Sequence, residues 1–495
     1  MLAIVRSLML FVLLIVPGGV LAEEPIYIGS RLELMVDDHL IAGMSGGLER
    51  RLHPPTPREV VIVHDDPWEG SGSGYHTIFQ DGDLYRMYYK AWQLSPEQGK
   101  VVIPHDTFGA YAESDDGIHW RKPNLGLFAF EGSKENNIVW MGKGGHDFTV
   151  FKDSNPECRP EAKYKAIAYG PNPTGAYAFQ SPDGIHFSPM SDKPVMTKGA
   201  FDTQNLAFWD SDRGEYRAYI RDFLKGVRGI RTATSSDFMT WSEPIWLAYS
   251  GADEEALYTN QVKPYYRAPH LYIGFPTRYS ERGWSASMEA LPELAHRRLR
   301  SSGSDRYGMA LTDALFMTSR DGQSFTRWPE AFLRPGLRTK DNWKYGDNYV
   351  AWQVVETKSS IPDAPNELSL YATESYWTGT SSQLRRFTLR MDGFVSMHAP
   401  MRGGEFVTKP IVFDGSRLVM NFSTSAAGSI RVEVQDANGK AFDGFALADC
   451  PASFGDSLDR EMGFKDGVSL SQFAGKPIRL RFALKDADLY AIRFR

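Results

Sequence analysis

Short polar segments stand directly ahead of apolar runs at five places along the chain. Glu69 lies in Pro67-Trp68-Glu69-Gly70 and His76 in Gly74-Tyr75-His76-Thr77. His146 and Asp147 precede Phe148-Thr149-Val150-Phe151, and Asp202 and Asn205 lie in Phe201-Asp202-Thr203-Gln204-Asn205. Glu255, Tyr258, Asn260 and Gln261 form the fourth group, Asp347 and Asn348 the fifth, in Tyr345-Gly346-Asp347-Asn348-Tyr349. Two carboxyl groups are the minimum for cleaving an acetal: one protonates the leaving oxygen, the other attacks or activates water. Amides and imidazoles hydrogen-bond sugar hydroxyls, and aromatic faces stack on sugar CH faces. We therefore expect Asp202 and Asp347 to be catalytic, with Glu69 or Glu255 as a third member. Asp202 is the expected base or nucleophile, kept ionised by Asn205 and backbone amides. Asp347 or Glu255 is the expected proton donor, because Tyr345, Tyr349 and Tyr258 surround them with aromatic carbon. His76, His146, Asp147, Asn205, Tyr258, Asn260 and Asn348 are the expected substrate contacts. Arg221 and Arg278 end strand-like runs, where each suits either the carboxylate or sulfate of an acidic sugar or an ion pair between repeats. No His/Asp cluster has metal-ligand spacing, so no metal ligand and no cofactor is assigned. A central calcium held through waters would leave little trace in sequence.

The elements that must position these residues follow from a repeat. Ser114-Asp115-Asp116-Gly117-Ile118-His119-Trp120 returns as Ser181-Pro182-Asp183-Gly184-Ile185-His186-Phe187 and as Ser319-Arg320-Asp321-Gly322-Gln323-Ser324-Phe325. Ser235-Ser236-Asp237-Phe238-Met239-Thr240-Trp241 lacks the glycine, and Met391-Asp392-Gly393-Phe394 is a degenerate fifth copy. Asp-Gly suits the positive φ of a tight turn, so each copy reads as a hairpin. Strand-like runs precede each copy, among them Leu84-Tyr85-Arg86-Met87-Tyr88-Tyr89 and Tyr216-Arg217-Ala218-Tyr219-Ile220-Arg221. Four strands per unit and a spacing of about one blade predict an all-β, five-bladed β-propeller. In such a ring the inner-strand starts converge on one central pocket, whereas Asp116, Asp183, Asp237 and Asp321 belong to outer turns and are expected to be structural.

Residues 23–400 are assigned to the propeller, with the N-terminal segment a candidate to close the last blade. Residues 401–495, with short strands such as Ile430-Arg431-Val432-Glu433-Val434, are assigned to a C-terminal β-sandwich. Residues 1–22 have the layout of a signal peptide: Arg6, the apolar run from Leu8 to Val16, the breaker Pro17-Gly18-Gly19, then Val20-Leu21-Ala22. A secreted or periplasmic protein, free of the membrane once that segment is removed, is expected. A formal net charge of -6, without a basic stripe, argues against nucleic acid. Two cysteines, Cys158 and Cys450, exclude a disulfide framework. Oligomeric state leaves no signal.

With its propeller body, inner carboxylates and C-terminal β domain, the chain resembles the five-bladed glycoside hydrolases of the invertase, levanase and arabinanase kind. It is more similar still to uncharacterised secreted bacterial propeller proteins that share segments like Val36-Asp37-Asp38-His39-Leu40, Tyr258-Thr259-Asn260-Gln261 and Ala487-Asp488-Leu489-Tyr490. The invertase-type Asn-Asp-Pro-Asn signature is absent; Asp65-Asp66-Pro67 stands at a similar place. The resemblance implies a carbohydrate partner and a hydrolase acting on a plant or algal poly- or oligosaccharide, and no family catalytic residue is carried over. A non-catalytic carbohydrate-binding propeller and a polysaccharide lyase are the alternatives.

Overall fold

The computed structural model describes residues 24–495; the expected signal peptide, residues 1–22, lies outside them. Five antiparallel blades of four strands follow one another, each starting near a common axis. Blade one is Gly74–Asp81, Leu84–Ala91, Phe108–Ser114 and Trp120–Arg121, and blade two is Thr149–Lys152, Tyr164–Pro171, Thr174–Ser181 and Ser188–Pro189. Blade three is Leu206–Asp210, Glu215–Leu224, Val227–Ser235 and Ile245–Trp246. In blade four, Lys263–Tyr265, Ala268–Gly274, Met317–Ser319 and Ser324–Arg327 are joined at the edge by Ala248–Ser250, in parallel. Blade five takes three strands in sequence, Val355–Thr357, Glu367–Glu374 and Gln383–Leu389, and its fourth, Thr56–Val63, from the beginning of the chain. The ring is closed by that pairing.

The repeated turn joins the third and fourth strands of blades one to four, and its chemistry is local. Asp116 Oδ1 accepts the backbone N–H of Ile118 and of His119, each at 2.8 Å, and the Ser114 hydroxyl at 2.9 Å. Ser114 Oγ in turn accepts the Gly117 N–H at 2.9 Å. The same bonds recur around Asp183, Asp237 and Asp321. The side chain thus replaces the backbone partners that a tight turn leaves open. The fifth copy degenerates because the chain leaves the propeller there: no fourth strand follows Asp392, whose carboxylate holds the Tyr265 hydroxyl (2.7 Å) and Arg267 (2.8 Å) instead.

Residues 26–52 do not pair with the blades. Ile41–Gly46 and Glu49–Leu52 pair with Gly404–Thr408 and Val395–Ala399, and Glu33–Leu34 with Arg479–Phe494. The long strands Leu418–Gln435 and Arg479–Phe494 run against one another, with bulges at Asn421/Phe422 and between Thr424 and Ser429. Ile28, Met35, Leu40 and Ile41 share one buried core with Phe406, Phe413, Phe482 and Phe494. The N-terminal part of the segment assigned to the propeller is therefore built into the C-terminal sheet, because its apolar side chains cover that sheet's inner face. Cys158 and Cys450 are both free.

Candidate functional site

The inner strands meet at the axis and close it. Gln204 Nε2 donates to the carbonyls of Tyr75 and His76 and to Thr77 Oγ1, all at 3.2 Å. Gln261 Nε2 donates to Gln204 Oε1 at 2.9 Å and to Val350 O at 2.7 Å. Trp352 N–H bonds His76 O at 2.8 Å, and its indole N–H bonds Val262 O at 3.0 Å. Four segments from four blades are thereby stitched to one another across the axis.

Above this plug lies a tyrosine cluster. Tyr75 stacks on Tyr349 at 6.3 Å, Tyr349 meets Tyr258 at 5.4 Å, and the Tyr345 hydroxyl donates to that of Tyr258 at 2.8 Å. Tyr279, Tyr307 and Tyr376 complete it. Between blades one and five it leaves a recess of about 10 Å³, roughly the room of one water, walled by Tyr75, Lys90, Tyr345, Tyr349, Thr373 and Tyr376. Among the described residues the Tyr349 hydroxyl and Thr373 Oγ1 have no hydrogen-bond partner, and both line the recess, where a water would satisfy them. Burial pulls the Lys90 ammonium down to about 7, against the opposing charge of Asp147.

Of the residues expected from sequence, one group converges here. Asp202 is exposed and ion-paired with the buried Arg221, whose guanidinium lies 5.3 Å over Tyr258. Asn205 connects this pair to Asp147: its Nδ2 donates to Phe201 O (2.7 Å), Thr203 O (2.8 Å) and Asp147 Oδ2 (3.3 Å), and its Oδ1 accepts the Arg221 N–H (3.3 Å). Asp147 is buried under Tyr169 N–H, 2.9 Å away, and burial raises its carboxyl well above the usual range. His146 packs edge-on against Tyr75 and Trp92, each at 5.8 Å, and burial lowers its imidazole to about 3, so it is neutral.

Asp347 stands behind the wall. Its Oδ1 accepts the Tyr376 N–H at 2.9 Å while Oδ2 has no partner among the described residues. Burial pushes its carboxyl up to about 8, outweighing the Tyr376 N–H and Lys344, which favour the anion. Asn348 adopts a φ of 62° and donates to Thr312 O at 3.1 Å, a backbone-holding role.

The remaining expected residues face elsewhere. Glu69 is enclosed by the Tyr89 hydroxyl (2.5 Å), Lys122 (2.6 Å) and Asp66 N–H (3.2 Å). With Asp65 and Asp66 it forms a three-acid cluster that would suit a cation, but the Lys122 ammonium stands at its centre. His76 Nε2 meets His64 Nε2 at 2.8 Å and is lowered to about 3 by burial, with Lys90 adding to the effect. Asn260 is buried between Tyr219 O and Val262 N–H. Glu255 is held by Arg278 at 2.9 Å and by Arg327, and Arg278 is also bidentate to Asp313 at 2.7 and 2.9 Å. Glu255, Arg278 and Asp313 line a separate groove of about 780 Å³ with Trp343 and Arg334. Side chains alternate along Thr277–Glu281, so Tyr279 joins the cluster while Arg278 and Ser280 face the groove.

Sequence reading passed over Lys90, Arg228 and Arg306. Lys90 sits within a strand that reads as core, Leu84–Ala91; a charge amid buried aromatics was the available signal. Arg306 arrives on an insertion that interrupts blade four between Thr277–Glu281 and Ala310–Ala314 and carries the helix Leu294–Gly303.

Fold and site together define a closed five-bladed propeller with a tyrosine-lined axial depression. No family model matches the sequence, and no curated protein does. Solved structures similar in trace include a glycoside hydrolase at 14% identity, covering 69% of this chain and 93% of that one with a TM-score of 0.42. The endo-arabinase of Bacteroides thetaiotaomicron has 11% identity, coverages of 68% and 98% and a TM-score of 0.38. The β-fructofuranosidase of Schwanniomyces occidentalis, complexed with fructosyl-erythritol, has 12% identity, coverages of 93% and 98% and a TM-score of 0.36. The five-bladed arrangement is read from the strand pairing above and not from these likenesses.

Proposed function

We propose that the chain is an exported glycoside hydrolase acting on a plant or algal poly- or oligosaccharide, with the sugar bound at the tyrosine-lined end of the propeller, beside Asp202. The observation that carries this reading is the presence, at one end of the propeller, of an exposed carboxylate held by an arginine, Asp202 with Arg221, and a buried carboxyl raised to about 8, Asp347. One group is prepared to act as base or nucleophile and the other to donate a proton, the division of labour that acetal cleavage needs. Tyr75 and Tyr349 supply stacking faces, and the unpartnered Tyr349 and Thr373 hydroxyls supply hydrogen bonds.

A second reading, elimination at a uronic acid, is favoured by Lys90. A lysine titrating near neutrality, packed over Tyr75 and Trp92, is equipped to take a proton next to a carboxylate. Product analysis on a broad glycan panel separates the readings. New reducing ends without ultraviolet absorbance support hydrolysis, and an unsaturated, absorbing product supports elimination. Tight binding with neither product leaves a binding propeller and removes both catalytic readings.

A further inference from the structure

We propose that the insertion at residues 282–309 is a lid that lifts to let a sugar reach Asp347. The inference rests on the reading that Asp202 and Asp347 act on one sugar. Asp202 is exposed, whereas Asp347 is buried, and the recess between blades one and five has the room of about one water. The two carboxyl groups can touch one ring only after the cover over Asp347 moves. That cover is the insertion. It leaves blade four after Thr277–Glu281 and returns at Ala310–Ala314. Its helix, Leu294–Gly303, reaches blade one, where it packs on the hairpin of Ser95–Glu97 and Lys100–Val102 and the Gly99 N–H donates to Ser302 Oγ at 2.8 Å. On the way it rests on the segment that carries Asp347. Arg297 donates to the carbonyls of Trp343 (2.6 Å) and Asn342 (3.0 Å), and Glu293 pairs with Lys344 at 2.8 Å. Tyr307, on the return, meets Trp377 at 4.6 Å and Tyr345 at 6.1 Å.

The span is weakly held, for a reason visible in its sequence. A helix ordinarily docks through an apolar stripe. The buried residues of Leu294–Gly303 are instead two arginines one turn apart, Arg297 and Arg300. Arg297 is satisfied by carbonyls. Arg300 is 1% exposed, and none of its three nitrogens has a hydrogen-bond partner among the described residues. Every other buried arginine or lysine among them has a carboxylate, a carbonyl or an aromatic face against it, and Lys263 likewise lies over Phe208 and Trp352. Seated, the helix keeps a bare guanidinium from water; lifted, it gives that group back its hydration. The cost falls on the closed state alone and offsets the polar contacts that hold it. An element docked in this way opens at a fraction of the free energy needed to unfold the blades.

Hydrogen–deuterium exchange of the full chain, read by mass spectrometry, tests the lid without a known substrate. Amides of Leu294–Gly303 should exchange about a hundredfold faster than those of Glu215–Leu224 in blade three, at rates nearly independent of low urea, the mark of local opening. The Tyr376 N–H, held by Asp347, should become labile together with the helix, because lifting uncovers it. Arg300→Leu removes the bare charge and should slow exchange at both places about tenfold. Glu293→Gln removes an anchor and should speed it, with blade exchange unchanged in both variants. A Tyr376 amide protected to the level of the blades while the helix exchanges would mean fraying alone and would overturn the lid. So would faster helix exchange in folded Arg300→Leu, or one common rate for helix and blades in the parent. A variant whose blades also exchange faster has lost its fold, and the parent's Tyr376 and helix rates then decide. With any glycan of the panel that is cleaved, Arg300→Leu should slow turnover. Absence of product from every glycan removes the catalytic reading and leaves the exchange result standing.

Discussion

The Tyr88 hydroxyl of blade one donates to the carbonyl of Gly184, in the repeated turn of blade two, at 2.8 Å. The relation recurs around the ring: Tyr219 to Gly322 at 2.7 Å, and Tyr371 of the last blade to Gly117 of the first at 2.5 Å. A Cβ on Gly184 would stand 2.7 Å from the Tyr88 oxygen, and the φ of 81° disfavours any side chain there. Where blade two carries Ile167 at the position of the tyrosine, the facing turn carries Phe238 in place of glycine, and both lie in one apolar core. Tyr88→Phe is expected to lower unfolding free energy by about 1 kcal/mol and Gly184→Ala by more, in urea denaturation. Equal stability of both variants and the parent would contradict this account of blade-to-blade docking.

Asp183 and Asp202 are both exposed acids, yet they should respond oppositely to amidation. Asp183→Asn weakens a turn whose carboxylate accepts two backbone N–H groups at 2.9 Å, and should cost about 1 kcal/mol of stability with turnover nearly intact. Asp202→Asn should leave Tm nearly unchanged and reduce turnover about a thousandfold; Asp347→Asn should reduce turnover by a similar factor. Full activity in folded Asp202→Asn would dismiss the assignment of the rim carboxylate.

Asp347 and Lys90 give stability opposite slopes with pH. The Asp347 carboxyl titrates near 8 in the fold against 3.8 ordinarily. Between those values the folded chain holds a proton the unfolded chain has released, so stability falls as pH rises through that window. Lys90 titrates near 7 against 10.5 ordinarily. Above 7 the unfolded chain holds the extra proton, so this contribution rises with pH until both states are deprotonated. Asp347→Asn should flatten the acid-side decline in urea midpoint, and Lys90→Met the alkaline-side rise. Curves superimposable on the parent would refute both charge assignments.

Lys122 binds three carboxylates, Asp65, Asp66 and the buried Glu69. Lys122→Met leaves Glu69 buried without its cation and is expected to cost about 3 kcal/mol or more at neutral pH. Loss should shrink under mild acid, where Glu69 takes a proton and no longer needs a counter-charge. A pH-independent loss would point to packing rather than charge.

How much was legible in sequence depended on how local the chemistry is. The turns at Asp116, Asp183 and Asp321 use only residues within the repeat, so they could be read directly, and blade number followed. Strands such as Ile41–Gly46 are short, lack the turn motif and find their partners only at Gly404–Thr408, so nothing nearby marked their sheet. Position ahead of an inner strand brought Asp202, Asn205, Tyr258 and Asp347 to the axial end of the molecule. It did not reveal direction: one face of a strand sends Glu255 to Arg278 and Arg327, and a distant lysine encloses Glu69. Lys90 escaped notice because alternation in a fully buried strand carries no inside-outside contrast.

The strand Thr56–Val63 finds its partner, Gln383–Leu389, roughly 300 residues further along. During synthesis it is among the first strands made and the last to be paired, an open edge throughout the assembly of the other blades. The segment 26–52 waits as long for the C-terminal sheet. Closure therefore requires a long-range pairing of the kind that slows folding, and interrupted chains carry an adhesive edge that intact ones do not. Once Thr56–Val63 is locked against Gln383–Leu389, opening the ring requires the loss of a whole blade boundary.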